Sequence, residues 1–150
     1  MWFSRKKQTG GAPAAPKIAT TKSRGDRAEA AALAHLNHQG LALVQRNFKT
    51  PGRGGGEVDL IMRAPDGTLV FVEVRQRSAN SRGGAGGSIT AIKQRRIVLA
   101  ARHFLLQLGS VPPCRFDVVL IDGRLSEAKD GTPAAQIEWL RGAFDAPDSF

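Results

Sequence analysis

The sequence predicts an α/β fold, and three observations support this class. Apolar runs of strand length occur at residues 41–47, 57–63, 68–75 and 116–121. Helical spacing of apolar residues marks one segment before the first strand and a longer one between the third and fourth strands. The resulting order of helix, three strands, helix and strand is typical of α/β and α+β proteins.

Each predicted helix has residues that favour a start and a stop. The first is predicted over residues 26–39, where Asp26 favours the N-terminus and Gly40 suits the C-terminal stop. The second is predicted to follow Ser88, which can accept a hydrogen bond as N-cap, and to end before the pair that begins at Pro112.

A hairpin and a short fifth element complete the predicted set. The strands 57–63 and 68–75 are joined by residues 64–67, Ala-Pro-Asp-Gly, which is ordinary turn chemistry. Residues 136–144 carry spaced large apolar side chains and are predicted to form a short strand or helix. Residues 51–56, which are rich in glycine, are predicted to form a loop.

Charge divides the chain into three predicted parts. Residues 1–24 contain six basic and no acidic side chains, within a net charge of +9 for the 150 residues. We predict a disordered basic arm over residues 1–21, a core over 22–123 and a C-terminal extension over 124–150. The sequence pI of about 10.8 favours a polyanionic partner.

Composition excludes two broad classes of protein. The single cysteine, Cys114, excludes an internal disulfide framework and a multi-cysteine zinc site, and it favours a reducing cytoplasm. No apolar run approaches the roughly 20 residues of a bilayer span. We therefore expect a cytoplasmic protein without a membrane segment or a secretory signal peptide.

Two carboxylates interrupt strands that are otherwise apolar. The strand 68–75 is apolar on both faces up to Glu73, and a buried carboxylate is costly without a cation. Asp59 interrupts the hairpin partner, and antiparallel pairing can bring it beside Glu73. Because these ligands are oxygens, the pair favours Mg²⁺ or Mn²⁺ over zinc.

Ordinary structural roles remain open for both acids. Glu73 can pair with Arg75 or Arg77, and Asp59 can pair with Arg63 or cap a strand end. Against this stands the spacing of the set: an acid, then about 14 positions later a second acid, one apolar residue and a base. That spacing suits metal-dependent cleavage of phosphodiester bonds.

These motifs closely resemble those of a known family. The chain resembles the YraN-like bacterial proteins, predicted endonucleases of the restriction-endonuclease-like, or PD-(D/E)XK, fold, which are distantly similar to archaeal Holliday junction resolvases. The resemblance implies a mixed sheet flanked by helices, and it extends from about residue 22 to residue 123. It rests on matched blocks that include Gln45-Arg46-Asn47, Gly56-Glu57-Val58-Asp59-Leu60-Ile61, Val70-Phe71-Val72-Glu73-Val74-Arg75 and Arg115-Phe116-Asp117-Val118-Val119.

The resemblance implies roles for individual residues. Asp59 and Glu73 would hold Mg²⁺ or Mn²⁺, and Glu29 would reach the site from the first helix. Arg75 occupies the position at which active nucleases of the fold usually have lysine, and arginine can act there only as a fixed cation. The implied function is metal-dependent hydrolysis of DNA, including branched or damaged DNA. The alternative is a catalytically silent nucleic-acid-binding module on the same fold.

Four basic residues are predicted to contact nucleic acid. Arg77 follows the motif at the strand end, and Lys93 lies in the first turns of the second helix, where the helix N-terminus also favours an anion. Arg95 and Arg96 follow on the same helix. For Arg77 and Lys93 an ordinary surface position is equally compatible with the sequence. The expected partner is DNA, a homodimer is left open, and a weaker alternative is a protein adaptor.

Overall fold

Two helices flank one five-stranded mixed sheet in the computed structural model, which describes residues 21–77, 89–123 and 136–146. The strands lie in chain order, with β3 and β4 parallel and all other neighbours antiparallel. The predicted α/β class is confirmed, and the arrangement is consistent with a restriction-endonuclease-like architecture. The elements are α1 (Thr21–His38), β1 (Ala42–Lys49), β2 (Glu57–Arg63), β3 (Leu69–Arg77), α2 (Ala91–Leu108), β4 (Cys114–Asp122) and β5 (Gln136–Phe144).

The start of α1 differs from the sequence prediction. The helix begins at Thr21, so Asp26 lies inside it and does not mark its N-terminus. The earlier start is physically reasonable because Gly25 is the one residue before Asp26 that strongly disfavours a helix, at a cost of about 1 kcal/mol.

The caps of α2 are well defined. Thr90 is the N-cap, since its Oγ1 accepts a hydrogen bond from the Lys93 N–H at 3.2 Å; the predicted cap, Ser88, lies outside the described residues. Gly109 ends the helix in the left-handed region at φ 74°, and its N–H donates to the Leu105 carbonyl at 3.0 Å. Neither helix in the described part of the chain combines the length and apolarity needed to cross a membrane.

The predicted hairpin of β2 and β3 is present, and its neighbours extend it. Its register runs from Arg63 opposite Leu69 to Leu60 opposite Val72. The register between β1 and β2 shifts between Leu43 and Gln45, and this irregularity accounts for the weak alternation of the β1 sequence.

The fifth predicted element is a strand. β5 pairs antiparallel with β4, so this part of the extension completes the sheet. The predicted arm over residues 1–21, apart from Thr21 itself, lies outside the described residues, as do residues 124–135.

Both faces of the sheet are buried, which explains the apolar strands. On the α2 face, the Phe71 ring contacts that of Phe104 edge-on, with 6.2 Å between centroids, and stacks on that of Phe116 at 5.6 Å. On the α1 face, Leu36 packs with side chains of β2, β3 and β4. Full burial of each apolar side chain of this size stabilises the folded state by about 1.5–3 kcal/mol. Fully buried members of the core include Leu60, Ile61, Met62, Leu69, Val70, Val72, Ile97 and Ile121.

A buried carboxylate fastens β5 to β4. Asp117 is completely buried, and its oxygens accept hydrogen bonds from Arg115 Nε at 3.1 Å, Trp139 Nε1 at 2.9 Å and the Gly142 N–H at 2.9 Å. The guanidinium of Arg141 lies 3.9 Å from the centre of the Trp139 ring. The charge of Asp117 is therefore compensated within the sheet.

The backbone of Gly56 touches the backbone of α2. A Cβ atom at this position would lie 2.4 Å from the Ala100 nitrogen and 2.7 Å from the Arg96 carbonyl oxygen. The loop before β2 is closed at the same place, where the Gly56 N–H donates to Thr50 Oγ1 at 2.6 Å. Glycine is therefore required for α2 to approach the start of β2.

We predict that Gly56→Ala lowers the free energy of unfolding by about 1–3 kcal/mol, because the methyl group must push α2 away from β2. The matched control is Gly25→Ala, since a Cβ at this exposed helical position meets nothing within 4 Å. Gly25→Ala should leave stability unchanged or raise it by up to about 1 kcal/mol. Urea denaturation followed by circular dichroism measures both, and equal stability of the two variants would contradict the close approach.

Candidate metal and nucleic-acid site

The site lies where β2 and β3 stop pairing. The regular register ends at Leu60 opposite Val72. Beyond this pair a side chain takes the place of a backbone hydrogen-bond acceptor, since Asp59 Oδ2 accepts a hydrogen bond from the Val74 N–H at 2.8 Å. This bond fixes Asp59 against the strand that carries Glu73, so the two predicted carboxylates are brought together.

Glu73 is a buried carboxylate that lacks full compensation. Its residue is 6% exposed, and its Oε2 atom has no hydrogen-bond partner among the described residues. Burial raises the pKa of Glu73 to about 8, and the negative charge and hydrogen bond of Asp59 act in the same direction. The site thus favours either a proton or a cation on Glu73.

Lys93 reaches this carboxylate from α2. Its Nζ atom lies 3.4 Å from Glu73 Oε1 and 2.6 Å from Glu57 Oε1. Arg96 approaches the same Glu57 oxygen, with Nη1 at 3.5 Å. The hydrogen bond from Lys93 lowers the pKa of Glu57, so Glu57 stays ionised while its neighbour Glu73 favours the neutral form.

Glu57 was not among the predicted site residues, although the sequence contained a signal for it. It lies two positions before Asp59, and alternation along a strand predicts that both side chains share one face. A basic residue in the first turn of the following helix could have been matched to it, but the distance between β2 and α2 is set by packing and not by the sequence pattern.

Glu29 approaches from the opposite side of the sheet on α1. It is half-buried, and its Oε2 atom also lacks a hydrogen-bond partner among the described residues. Burial and the charge of Asp59 raise the pKa of Glu29, while a hydrogen bond from the Asn47 side chain opposes the shift. Glu29 thus lies close enough to Asp59 for their charges to interact, and its role at the site stays a prediction.

Asn47 is a second residue that the sequence reasoning did not include in the site. Its φ of 50° is the one positive φ of a non-glycine residue in the described ranges. Asparagine tolerates this conformation better than most residues. Such backbone strain is concentrated at functional sites, and here it accompanies the hydrogen bond to Glu29. The sequence signal for Asn47 was its place in the matched family block Gln45-Arg46-Asn47, which did not specify this role.

The other predicted basic residues lie at different places. Arg75 is half-buried at the end of β3, in register with Leu120. Arg77 forms a bidentate ion pair with Asp122, with both N···O distances 2.7 Å. Arg95 is exposed on α2. The guanidinium of Arg77 therefore clamps β3 to β4, and its contact with nucleic acid stays a prediction, as do those of Arg95 and Arg96.

The structural alternatives for the two acids are partly realised. Asp59 does bond at a strand end, through the Val74 N–H. Arg63, its alternative partner, donates to the Gly67 carbonyl at 3.2 Å near the opposite end of the hairpin. Glu73 forms its ion pair with Lys93, on another element, and Arg77 bonds elsewhere.

The residues present fit a hard divalent cation. In the described ranges no three side chains of His, Cys, Asp or Glu form a group that could hold a metal ion. Two carboxylates, Asp59 and Glu73, would be the protein ligands, and Mg²⁺ is often held by one or two carboxylates with water and substrate phosphate completing the shell. The unpartnered, buried oxygen of Glu73 fits such a ligand.

We predict that Glu73→Gln changes the pH dependence of stability. In metal-free protein the folded-state pKa of Glu73 is above its ordinary value of 4.5. The wild type should therefore lose stability as pH rises from about 4.5 to about 8. Glu73→Gln removes this loss, so its stability relative to wild type should increase with pH.

The matched control is Glu57→Gln, whose stability relative to wild type is expected to decrease as pH rises. The pKa of Glu57 is lowered in the folded state, so this group adds stability above its unfolded pKa that disappears in acid. Glu57→Gln should therefore cost stability at neutral and alkaline pH but little at low pH. Urea denaturation in EDTA between pH 4 and 9 measures both variants, and parallel pH profiles for Glu73→Gln and wild type would contradict the burial argument.

Comparison with known proteins places the chain in one family. A family model described as "Uncharacterised protein family UPF0102" matches residues 28–121. A UPF0102 protein of Polaromonas naphthalenivorans (strain CJ2) is 62% identical, over 97% of this chain and 99% of the relative. One from Acidovorax sp. (strain JS42) is 58% identical, with the same coverage of both chains. The chain therefore belongs to the UPF0102 family, which confirms the YraN-like resemblance at the level of the family.

Proposed function

We propose that this protein is an endonuclease that hydrolyses DNA phosphodiester bonds with Mg²⁺ or Mn²⁺. The observation that carries the proposal is the juxtaposition of Asp59 and Glu73 where β2 and β3 separate, with a buried Glu73 oxygen that has no hydrogen-bond partner within residues 21–77, 89–123 and 136–146. A structural carboxylate would be expected to have all its buried oxygens satisfied. The buried Glu73 oxygen is therefore suited to bind a ligand.

Each residue of the site has a distinct task in the proposed reaction. Asp59 and Glu73 would hold the metal, which supplies an activated water and stabilises charge on the phosphate. Arg75 would bind the scissile phosphate through its guanidinium group. Glu29 would assist as a further acid, and burial and the charge of Asp59 raise its pKa.

Charge supports DNA as the partner. The chain carries 22 basic against 13 acidic residues, and neutralising phosphates is the main source of affinity for nucleic acid. Lys93 and Arg96 lie beside Glu57 at the mouth of the site, where loop 51–56 also ends.

The preference for branched or damaged DNA, and a dimer that acts on it, rest on the family resemblance alone. The proposed cytoplasmic location rests on the cysteine content.

We predict that Asp59→Asn lowers the rate of metal-dependent cleavage by at least about 100-fold while DNA affinity stays within a few fold of wild type. Asparagine keeps an oxygen for the Val74 N–H and removes the charge that would bind the metal. Calorimetric titration with Mn²⁺, and cleavage of labelled branched, duplex and single-stranded DNA, measure the two effects. Asp66→Asn is the control, since Asp66 lies in the hairpin turn and accepts from the Thr68 N–H at 3.0 Å.

The same experiment tests the silent-module alternative, which the arginine at position 75 favours. If wild type binds DNA with a steep salt dependence but binds no metal and forms no product with Mg²⁺ or Mn²⁺, the protein is a binding module. Cleavage by Asp59→Asn at the wild-type rate would also reject the proposed active site. Absence of DNA binding at low salt would favour the adaptor.

A further inference from the structure

A cation is needed beside the carboxylate pair. A DNA phosphate that approaches Asp59 and Glu73 meets two like charges, and a single divalent ion neutralises only those two. A positive group besides the metal ion must therefore attract the phosphate itself. Besides Arg75 at the end of β3, one cation is positioned directly on the pair, since Lys93 Nζ lies 3.4 Å from Glu73 Oε1.

We propose that Lys93 is a catalytic residue that binds the scissile phosphate and stabilises its transition-state charge. It comes from α2, a different element from the strand that carries the sequence motif. This inference rests on the proposed function. It assigns Lys93 a role at the scissile phosphate in place of the predicted general contact with DNA. Its charge alone is sufficient for this role, so no change of protonation is required.

The surroundings of Lys93 fit this role better than that of a surface contact. Its side chain is 29% exposed, so it is both partly withdrawn from solvent and open to a ligand. Thr90 caps the first turn of α2, in which Lys93 lies, and the close approach at Gly56 holds the following turns, at Arg96 and Ala100, against the start of β2. Packing of the whole helix thus fixes where the ammonium group can reach.

Glu57 acts as a positioning residue for Lys93. Lysine has a flexible four-carbon stem, and the 2.6 Å contact with Glu57 Oε1 holds its end next to Glu73. Arg96 Nη1 lies 3.5 Å from the same oxygen and its Nε donates to the Gly55 carbonyl at 3.2 Å, so Glu57 is itself held. A phosphate near Glu73 can share the ammonium group with Glu57, since Lys93 has three donors.

The test compares Lys93→Met, which keeps an apolar stem, with Lys93→Arg, which keeps the charge. Lys93→Met should lower the single-turnover cleavage rate at least about 100-fold, while DNA affinity measured by anisotropy falls only a few fold. Its Mn²⁺ affinity should equal or exceed that of wild type, because a cation next to Glu73 has been removed. Lys93→Arg should recover part of the rate. Arg63→Met, which removes a cation from the far end of the hairpin, is the control.

Two further variants separate the inference from a folding defect. Glu57→Gln should reduce the cleavage rate by a smaller factor of about 3–10, as expected for positioning. The double variant Glu57→Gln with Lys93→Gln removes both charges of the Glu57–Lys93 pair together, so neither member of that pair is left alone. It should fold, as judged by circular dichroism, and still lose cleavage. A merely structural ion pair predicts instead that the double variant recovers the wild-type rate.

The outcomes distinguish this inference from the proposed function. Wild-type cleavage with an equally active Lys93→Met overturns the role of Lys93 and leaves the function intact. Loss of DNA affinity by the same factor as the loss of rate makes Lys93 a general phosphate contact and also overturns the inference. If wild type itself forms no product with any divalent metal, the proposed function fails and this inference fails with it.

Discussion

The bond between Asp59 and the Val74 N–H is the interaction on which the candidate site depends. Strand pairing between β2 and β3 would normally continue with backbone bonds, but here the carboxylate takes the amide that a strand partner would otherwise satisfy. The two strands can then separate without leaving a buried donor unpaired, which would cost about 1–3 kcal/mol. The opening between them is where Glu73 presents an unpartnered oxygen.

The electrostatic state of the site follows from this geometry. A second carboxylate close to Asp59, largely removed from water, favours the neutral form, and this raises the pKa of Glu73. Lys93 offsets only part of the effect because its shorter contact is with Glu57. Without metal the site thus combines buried acids with one shared ammonium group. Such uncompensated charge is costly for stability and is typical of functional sites.

Helix α2 links core packing to the chemistry. Its apolar face, with Ile97 and Phe104, covers the sheet, while its first turn carries Lys93 to the carboxylates. Because Gly56 lets the two backbones touch, a small change in the core would be transmitted to the ammonium position. On the opposite face α1 brings Glu29, which Asn47 orients through a strained backbone. The two helices, on opposite faces of the sheet, therefore bring their polar side chains to the place where β2 and β3 separate.

Much of this protein follows from the sequence alone. Alternation along β2 and β3 predicted the hairpin and put Asp59 and Glu73 on one face, because side-chain direction in a strand is fixed by residue parity. Family motifs likewise indicated the mixed sheet. The start of α1 was placed too late, since helix propensity near Gly25 is marginal and does not define a boundary.

Only the tertiary structure decided which charges meet. Glu57 and Lys93 are 36 residues apart, and Arg77 bonds to Asp122, 45 residues away, at distances that depend on how α2 and β4 pack on the sheet. The left-handed backbone of Asn47 has the same origin, because its contact with Glu29 joins β1 to α1. Local pattern specifies the elements and the face of each side chain, whereas partners across elements are selected by packing.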